Sequence, residues 1–478
     1  MNHMPLCVDC DGTLIRTDLL HEAMFLLLKK SPFSLLLVPL WLLRGKAYLK
    51  LKIAECVSID AASLPYNVDF LAYLQQERLT GRRLILATAS ARPYADAVAR
   101  HLNLFEAVYA TEHGINLSSR HKAERLEQIF GARGFVYAGN AKPDLQVWQR
   151  AAGAILVDTP AVVKHQAHEL CAIVGEFNSS RPSIKTYLKA MRLHQWLKNA
   201  LVFVPLFAAH RFTEIDLLAQ AALAFLAYGL CASSVYLLND LLDLAADRAH
   251  PRKCKRPFAS GDLPLLHGVV LIPTLLLGAL AIAVFLPVKF ALVLAAYYLT
   301  TLAYSLWLKN RVMVDVILLA ALYTFRVIAG AAATGIAPSF WLLAFSMFVF
   351  LSLAMVKRYA ELHSVLQQNK TAAAGRDYHV DDLPLLASMG SASGYLSILV
   401  MALFVNSEDV HQQYAQPTLL WLVLPLLLFW ISRIWMKTHR GEMHDDPVVF
   451  AARDRTSLIV ALLVAMVFGA ASGGWLRL

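Results

Sequence analysis

The sequence predicts a two-part chain: an N-terminal α/β domain, then an all-α multi-span bundle of membrane-length helices. Three observations lead there. Of 478 residues, 58% are hydrophobic and 16% charged, with a mean hydropathy of +0.51, too apolar for a soluble protein of this size. The apolar residues are unevenly spread, since residues 1–180 alternate short apolar strands with polar helical stretches, whereas beyond about residue 196 runs of membrane length recur to the C-terminus. Between them lies a polar stretch with Ser-Arg-Pro, around 176–186, which sets the expected divisions at 1–177, a linker at 178–186, and 187–478.

In chain order, MPLCVDCDGTLI at 4–15 joins a short apolar strand to two aspartates two apart, followed by Gly-Thr. Asp9 at a strand end is placed to attack phosphorus and Asp11 to protonate the leaving oxygen, while Gly12-Thr13 lets backbone N–H groups approach a phosphate. This run resembles the DxDGT nucleophile motif of haloacid-dehalogenase-type (HAD) phosphatases. The resemblance implies a Rossmann-like fold, a helical cap over about 18–75, phosphate binding by Thr88 in LILATAS and by Lys122 in SSRHKAERL, and a Mg²⁺ site of Asp9, Asp11 and Asp144, the last in FVYAGNAKPDLQVW. Asn140 stands where many members carry an acid, which lowers the charge of that site by one. A catalytically silent, ligand-sensing domain is the alternative.

Within the cap region, FSLLLVPLWLLRGKAYLKLKIAE has too short an apolar run before Arg44 to cross a bilayer. Two readings stand: a buried cap helix, or a segment lying on the membrane with Arg44, Lys46, Lys50 and Lys52 near lipid phosphates. The N-terminus has no basic region followed by an apolar one, so this domain is expected to be cytosolic. Six scattered cysteines, with only Cys7 and Cys10 close together, fit reduced thiols better than zinc. The net charge of +10 sits in loops between apolar spans, where membrane orientation accounts for it, so no nucleic-acid partner is expected.

Nine apolar spans are read near 198–210, 217–238, 265–287, 289–307, 314–334, 339–356, 389–405, 418–436 and 457–476. Lys and Arg concentrate in 239–264, 308–313, 357–388 and 437–456, which places those loops in the cytosol and the C-terminus outside an inner membrane. One of them holds the densest chemistry, VYLLNDLLDLAADRAHPRKCKRP at 235–257. As a helix it would gather Asn239, Asp240, Asp243 and Asp247 on one face, a hard-oxygen set suited to Mg²⁺, with Arg256 among the cations that follow to meet a diphosphate. Further along, Asp315 and Arg326 lie eleven apart inside apolar sequence, on roughly one face of a helix, and point to a polar cavity whose cytosolic half Tyr304, Lys309 and Tyr323 would line.

The pattern NDxxDxxxD resembles the first aspartate-rich motif of the UbiA superfamily of intramembrane prenyltransferases. Aromatic prenyltransferases of that superfamily carry a second DxxxD, but here Leu319 stands four residues after Asp315. Instead QWLKN, the AHP-K-RP run, YSxxLK, YxxR, MVKRYAEL and DDPVVFAARDR resemble decaprenyl-phosphate phosphoribosyltransferases. The resemblance implies phosphoribosyl pyrophosphate and a polyprenyl phosphate as substrates. Lys198, Asn199, Arg256, Tyr304, Lys309, Asp315, Tyr323, Arg326, Lys357 and Arg358 are the expected binding residues. An aromatic polyprenyltransferase, and a lipid-binding or transporting protein with a silent soluble domain, are the alternatives.

Overall fold

The structure is a computed structural model describing residues 3–179, 182–369, 371–372, 376–443 and 446–473. Residues 180 and 181 of the expected linker, and 474–476 of the expected last span, lie outside the described residues. The chain forms two compact units, Met1–Met191 with Tyr236–Leu271, and Arg192–Val235 with Ile272–Leu478.

The first unit is built on a six-stranded parallel sheet: β1 (Leu6–Val8), β2 (Leu84–Ala91), β3 (Ala107–Thr111), β4 (Val136–Gly139), β5 (Gly153–Val157) and β6 (Ala172–Phe177), in the order β3-β2-β1-β4-β5-β6. Its central strands are apolar throughout because both faces are covered. Leu6 and Val8 pack into one core with Leu84, Leu86 and Val136, and Cys7 points the other way, to Ile85, Tyr137 and Leu156. That strand order reverses direction at β1 and β4, so the crevice at their carboxyl ends is where a ligand site belongs. Asp9 follows β1 and Asn140 follows β4.

Between β1 and β2 the cap supplies α1 (Leu19–Lys30), an apolar strip from Pro32 to Leu43, and α2 (Lys46–Cys56). Asp18 starts α1 by accepting a hydrogen bond from His21 N, and Lys29 and Lys30 favour its C-terminal end. Later, α3 (Ser119–Phe130) carries Lys122. The unit is completed by the end of α4 (Ile215–Leu242), by α5 (Leu244–Ala249) and by the start of α6 (Leu265–Ala283).

The second unit is helical: α7 (Val288–Leu306), α8 (Val314–Thr334), α9 (Phe340–Gln367), α10 (Leu383–Val405), α11 (Val423–His439) and α12 (Arg455–Ala471). Among the described residues seven helices are long and apolar enough to cross a membrane: α4, α6, α7, α8, α9, and α10 and α11 with their short 3₁₀ leads. The first expected span differs, being a 3₁₀ helix at Leu193–Phe203 followed by a short α-helix at Val204–Ala208. Its Lys198 and Asn199 are turned inward to polar partners, which a fully lipid-facing span would not permit. The ninth, α12, has 17 residues. At Gly330 a Cβ would fall 1.8 Å from the carbonyl oxygen of Val202, so glycine there is what lets α8 press against this segment.

Candidate active sites

In the first unit, the loop after β1 is wound tightly, with the N–H groups of Thr13, Leu14 and Ile15 all directed at Cys10 O, at 3.3, 3.0 and 3.1 Å. Gly12 makes this possible with φ +72°, and a Cβ there would fall 2.1 Å from Asn140 Nδ2, so the Asn140 amide lies over the loop. Asp11 accepts from Leu19 N at 2.9 Å and from the Ser90 hydroxyl. Lys122 Nζ donates to Asp9 Oδ1 at 2.9 Å and to the Tyr137 hydroxyl at 2.7 Å, and that hydroxyl donates to Asp144 at 2.8 Å. Asp144 is fixed further by the backbone N–H groups of Asn140 and Ala141, each at 3.0 Å.

Of these, Asp9, Asp11, Gly12, Ser90, Lys122, Asn140 and Asp144 line a cavity of about 480 Å³ with Arg16, Lys50 and the Pro264–Leu266 segment. Burial, opposed by Lys122 and reinforced by the Asp144 carboxylate, pushes Asp9 up to about 6. Burial, with the Asp18 and Asp9 carboxylates, pushes Asp11 up to about 7. Burial works against the charge of Lys122, but the carboxylates of Asp9 and Asp144 keep its ammonium above the ordinary range. An Asp11 that holds its proton near neutrality suits a general acid. Thr88 is fully buried and accepts from Ser90 N at 3.1 Å, and of this strand it is Ser90, not Thr88, that lines the cavity.

The aspartate-rich segment belongs to the same compact unit. The single helical face expected for it is interrupted, because α4 stops at Leu242 and Asp243 takes φ −109°, ψ 18° before α5 begins. Two turn hydrogen bonds, Asp243 N to Asn239 O at 3.0 Å and Asp247 N to Asp243 O at 2.8 Å, carry the chain across the break. The bend divides the acids: Arg256 Nη1 meets Asp240 at 3.1 Å and Asp247 at 2.5 Å, whereas Asp243 accepts from Lys29 of α1 at 2.7 Å. Beside them Arg248 forms a buried bidentate pair with Glu22 of α1.

Among the described residues no three His, Cys, Asp or Glu side chains are already gathered as a metal site. The donors nevertheless fit Mg²⁺. Asp9, Asp11 and Asp144 line one cavity with hard oxygens, and in the aspartate-rich segment protein cations occupy the carboxylates while Asn239 Oδ1 is buried without a hydrogen-bond partner.

In the second unit the expected binding residues separate into two clusters. The first centres on Asp446, which receives Lys198 Nζ at 2.7 Å, Lys357 Nζ at 3.2 Å and the Tyr323 hydroxyl at 2.8 Å. Burial would raise the Asp446 carboxyl, but the ammonium groups of Lys198 and Lys357 hold it well below the usual carboxylate range. Arg326 lies among Tyr228, Tyr297 and Tyr323, its guanidinium 5.2, 5.5 and 5.6 Å from their ring centroids, and donates to Asn199 Oδ1 at 3.0 Å.

The second cluster centres on Asp315, fully buried and paired with Arg358 at 2.6 Å, Arg376 at 3.4 Å and the Tyr378 hydroxyl at 2.6 Å. Arg358 also pairs with Glu361, and Arg376 reaches Tyr304 at 3.3 Å. Asp315 and Arg326, read from their spacing as one helical face, thus have different neighbours: Arg358, Arg376 and Tyr378 hold Asp315, whereas Arg326 bonds Asn199 and lies among three tyrosines. Lys309 lies in the short turn between α7 and α8. Ser90, Tyr137, Glu22, Arg376 and Tyr378 were missed from sequence. Asp446 was within reach, because its DDP run had been singled out, although Asp445 lies outside the described residues.

The sequence model of the UbiA prenyltransferase family matches residues 200–459, and that of haloacid dehalogenase-like hydrolases matches residues 6–148. An uncharacterised Sinorhizobium fredii protein, y4nM, is 37% identical over 468 residues, covering 97% of this chain and 90% of that protein. A decaprenyl-phosphate phosphoribosyltransferase of Mycolicibacterium smegmatis is 38% identical over 293 residues, 59% of this chain and 91% of that protein. A solved UbiA homologue from Archaeoglobus fulgidus, bound to GPP and Mg²⁺, is similar over 60% of this chain and 99% of its own, at 16% identity and a TM-score of 0.45.

Proposed function

The chain belongs to the UbiA prenyltransferase family, and from that premise we propose that it moves 5-phosphoribose from phosphoribosyl pyrophosphate to a polyprenyl phosphate and then removes the 5-phosphate. The observation that carries the choice of donor is the state of Asp315. Leu319 stands four residues after Asp315, where a second acid would complete an acidic pair, and Asp315 itself is fully buried among Arg358, Arg376 and Tyr378, which supports the aspartate-rich segment as the diphosphate site. The similarity to a decaprenyl-phosphate phosphoribosyltransferase points the same way.

In the transfer, the bond from ribose C1 to the pyrophosphate oxygen breaks and a bond from C1 to a lipid phosphate oxygen forms. Asn239, Asp240, Asp243 and Asp247 would hold Mg²⁺, which when bound supplies positive charge to the departing pyrophosphate. Arg256, relieved of its carboxylates, stays to bind phosphate oxygens. Lys198, Arg326 and Lys357 offer cations to the lipid phosphate, and Tyr323 and Asp446 fix the geometry of that set. No general base is needed, since the phosphate nucleophile is already ionised.

In the second step Asp9 attacks the 5-phosphate, Asp11 gives its proton to the leaving sugar oxygen, and water then releases phosphate from Asp9. Lys122 balances the charge, and Asp9, Asp11 and Asp144 are the residues that would hold a second Mg²⁺. The chain's own coupling supports this pairing of activities, because α1 grips the phosphatase loop at Leu19 and the aspartate-rich segment at Glu22 and Lys29.

The reading is tested with purified protein, Mg²⁺, a short polyprenyl phosphate and labelled phosphoribosyl pyrophosphate. Label enters the lipid fraction, and Asp243→Ala stops it. Prenylation of an aromatic acid from a polyprenyl diphosphate, with no label transfer, would replace this reading with the aromatic one.

A further inference from the structure

The strip between α1 and α2 has two apolar faces, and the fold uses only one. Its 3₁₀ helix at Pro32–Leu37 and short α-helix at Val38–Leu43 contain no buried residue. Leu35, Val38 and Trp41, three apart, pack against the core of the first unit. The other side presents Phe33, Leu36, Leu40 and Leu43, exposed at 78, 75, 58 and 84%, with Leu37 and Leu42 beside them. A helix apolar all round belongs in an apolar surrounding, and this contiguous set exceeds the scattered exposure normal on a soluble surface.

The charge around the strip identifies that surrounding. No Asp or Glu occurs between Glu22 and Glu55, while six cations fall within that interval; of these Lys29 pairs with Asp243, Lys52 pairs with Glu55, and Lys50 turns to Ala89 O and Asn116. Lys30, Arg44 and Lys46, at the two ends of the strip, are exposed. Self-association through this face would bring two like-charged sets together, whereas an anionic headgroup layer complements them and accepts the apolar side chains beneath. The strip is also too short to cross a bilayer.

We infer that residues 32–43 are an interfacial membrane-binding element of the cap, seated in an anionic lipid leaflet with Phe33, Leu36, Leu40 and Leu43 below the headgroups. The two helices it joins reach the phosphatase cavity at their other parts, through Leu20 and His21 on α1 and Lys50 on α2. The element thus anchors the cavity walls to the lipid surface, where a phosphate monoester carried on a lipid would be presented. This second consequence rests on the function proposed above, and the membrane contact itself does not.

The test places an environment-sensitive fluorophore at Leu36→Cys or Leu43→Cys in the full chain, in nanodiscs, with labelling of the native cysteines subtracted using the unsubstituted chain. Val162→Cys, at a position 73% exposed on the helix Ala161–Leu170, is the control. Emission at 36 and 43 shifts to the blue and is quenched by lipids spin-labelled near the headgroup, more strongly when the discs contain phosphatidylglycerol, and the control does neither. Water-like emission at 36 and 43 would overturn the inference. So would blue-shifted emission that spin-labelled lipids do not quench, because the cover would then be protein. In a Phe33→Cys chain, the added changes Leu36→Ser, Leu40→Ser and Leu43→Ser abolish quenching at 33. Quenching unchanged by them would also count against the element.

Discussion

Asp446 decides whether the two lysines facing it form a site or a fault. Nearly buried between Lys198 and Lys357, it neutralises ammonium groups that would otherwise repel one another. Asp446→Asn removes that charge, and the expected outcome is a rise of about tenfold or more in the KM for the lipid phosphate, from misplaced cations. Asp315 predicts the opposite balance. Breaking its buried pairs in Asp315→Asn costs about 3–5 kcal/mol, read as a lower melting temperature in detergent. Asp9 and Asp11 give a pH dependence. Their pKa values, about 6 and about 7, lie above the ordinary value, so the stability they contribute is whole below about pH 4 and is lost as pH rises through 6 to 7. Added Mg²⁺ should offset the loss, so that hydrogen exchange of the β1 and β4 amides slows on Mg²⁺ addition at pH 8 and hardly changes at pH 5. The convergence of Asp9, Asp11 and Lys122 on one cavity was readable because their motifs are local. The partners of Asp315 were not, since Arg376 and Tyr378 come from a loop more than sixty residues away whose approach no periodicity records.

At the scale of elements, α1 is the part whose importance sequence reasoning missed. It reads as an ordinary amphipathic cap helix, yet its first amide holds Asp11, Glu22 pairs with Arg248, and Lys29 holds Asp243. Glu22→Ala leaves the Arg248 guanidinium buried and unpaired by Glu22, and the account expects the transfer rate to fall by about tenfold or more, checked with labelled donor. The seven long apolar helices were legible because membrane length and composition are properties of a continuous run. Two features defeated that reasoning. The segment at 193–208 looks like a span in composition but forms a 3₁₀ helix with Lys198 and Asn199 directed inward, and the helix carrying the aspartates bends at Asp243. Each departure falls where side chains find polar partners across tens or hundreds of residues, which a helical repeat cannot anticipate.

The whole molecule carries a UbiA-family region and a haloacid dehalogenase-like region in one chain, and the two proposed chemistries are thereby joined. The aspartate-rich segment of the UbiA part packs in the same compact unit as the phosphatase-like sheet, a distribution that neither sequence match conveys by itself. If the second step removes the phosphate left by the first, the transfer is drawn forward. The direct measurement uses phosphoribosyl pyrophosphate labelled with ¹⁴C in the ribose and ³²P at the 5-phosphate, supplied with a polyprenyl phosphate and Mg²⁺. The expected result is lipid carrying ¹⁴C without ³²P from the unsubstituted chain, both labels with Asp9→Asn, and neither with Asp243→Ala. Lipid free of ³²P in the Asp9→Asn chain, with no other phosphatase present, would contradict the coupling, and lipid without ¹⁴C from the unsubstituted chain would contradict the transfer itself.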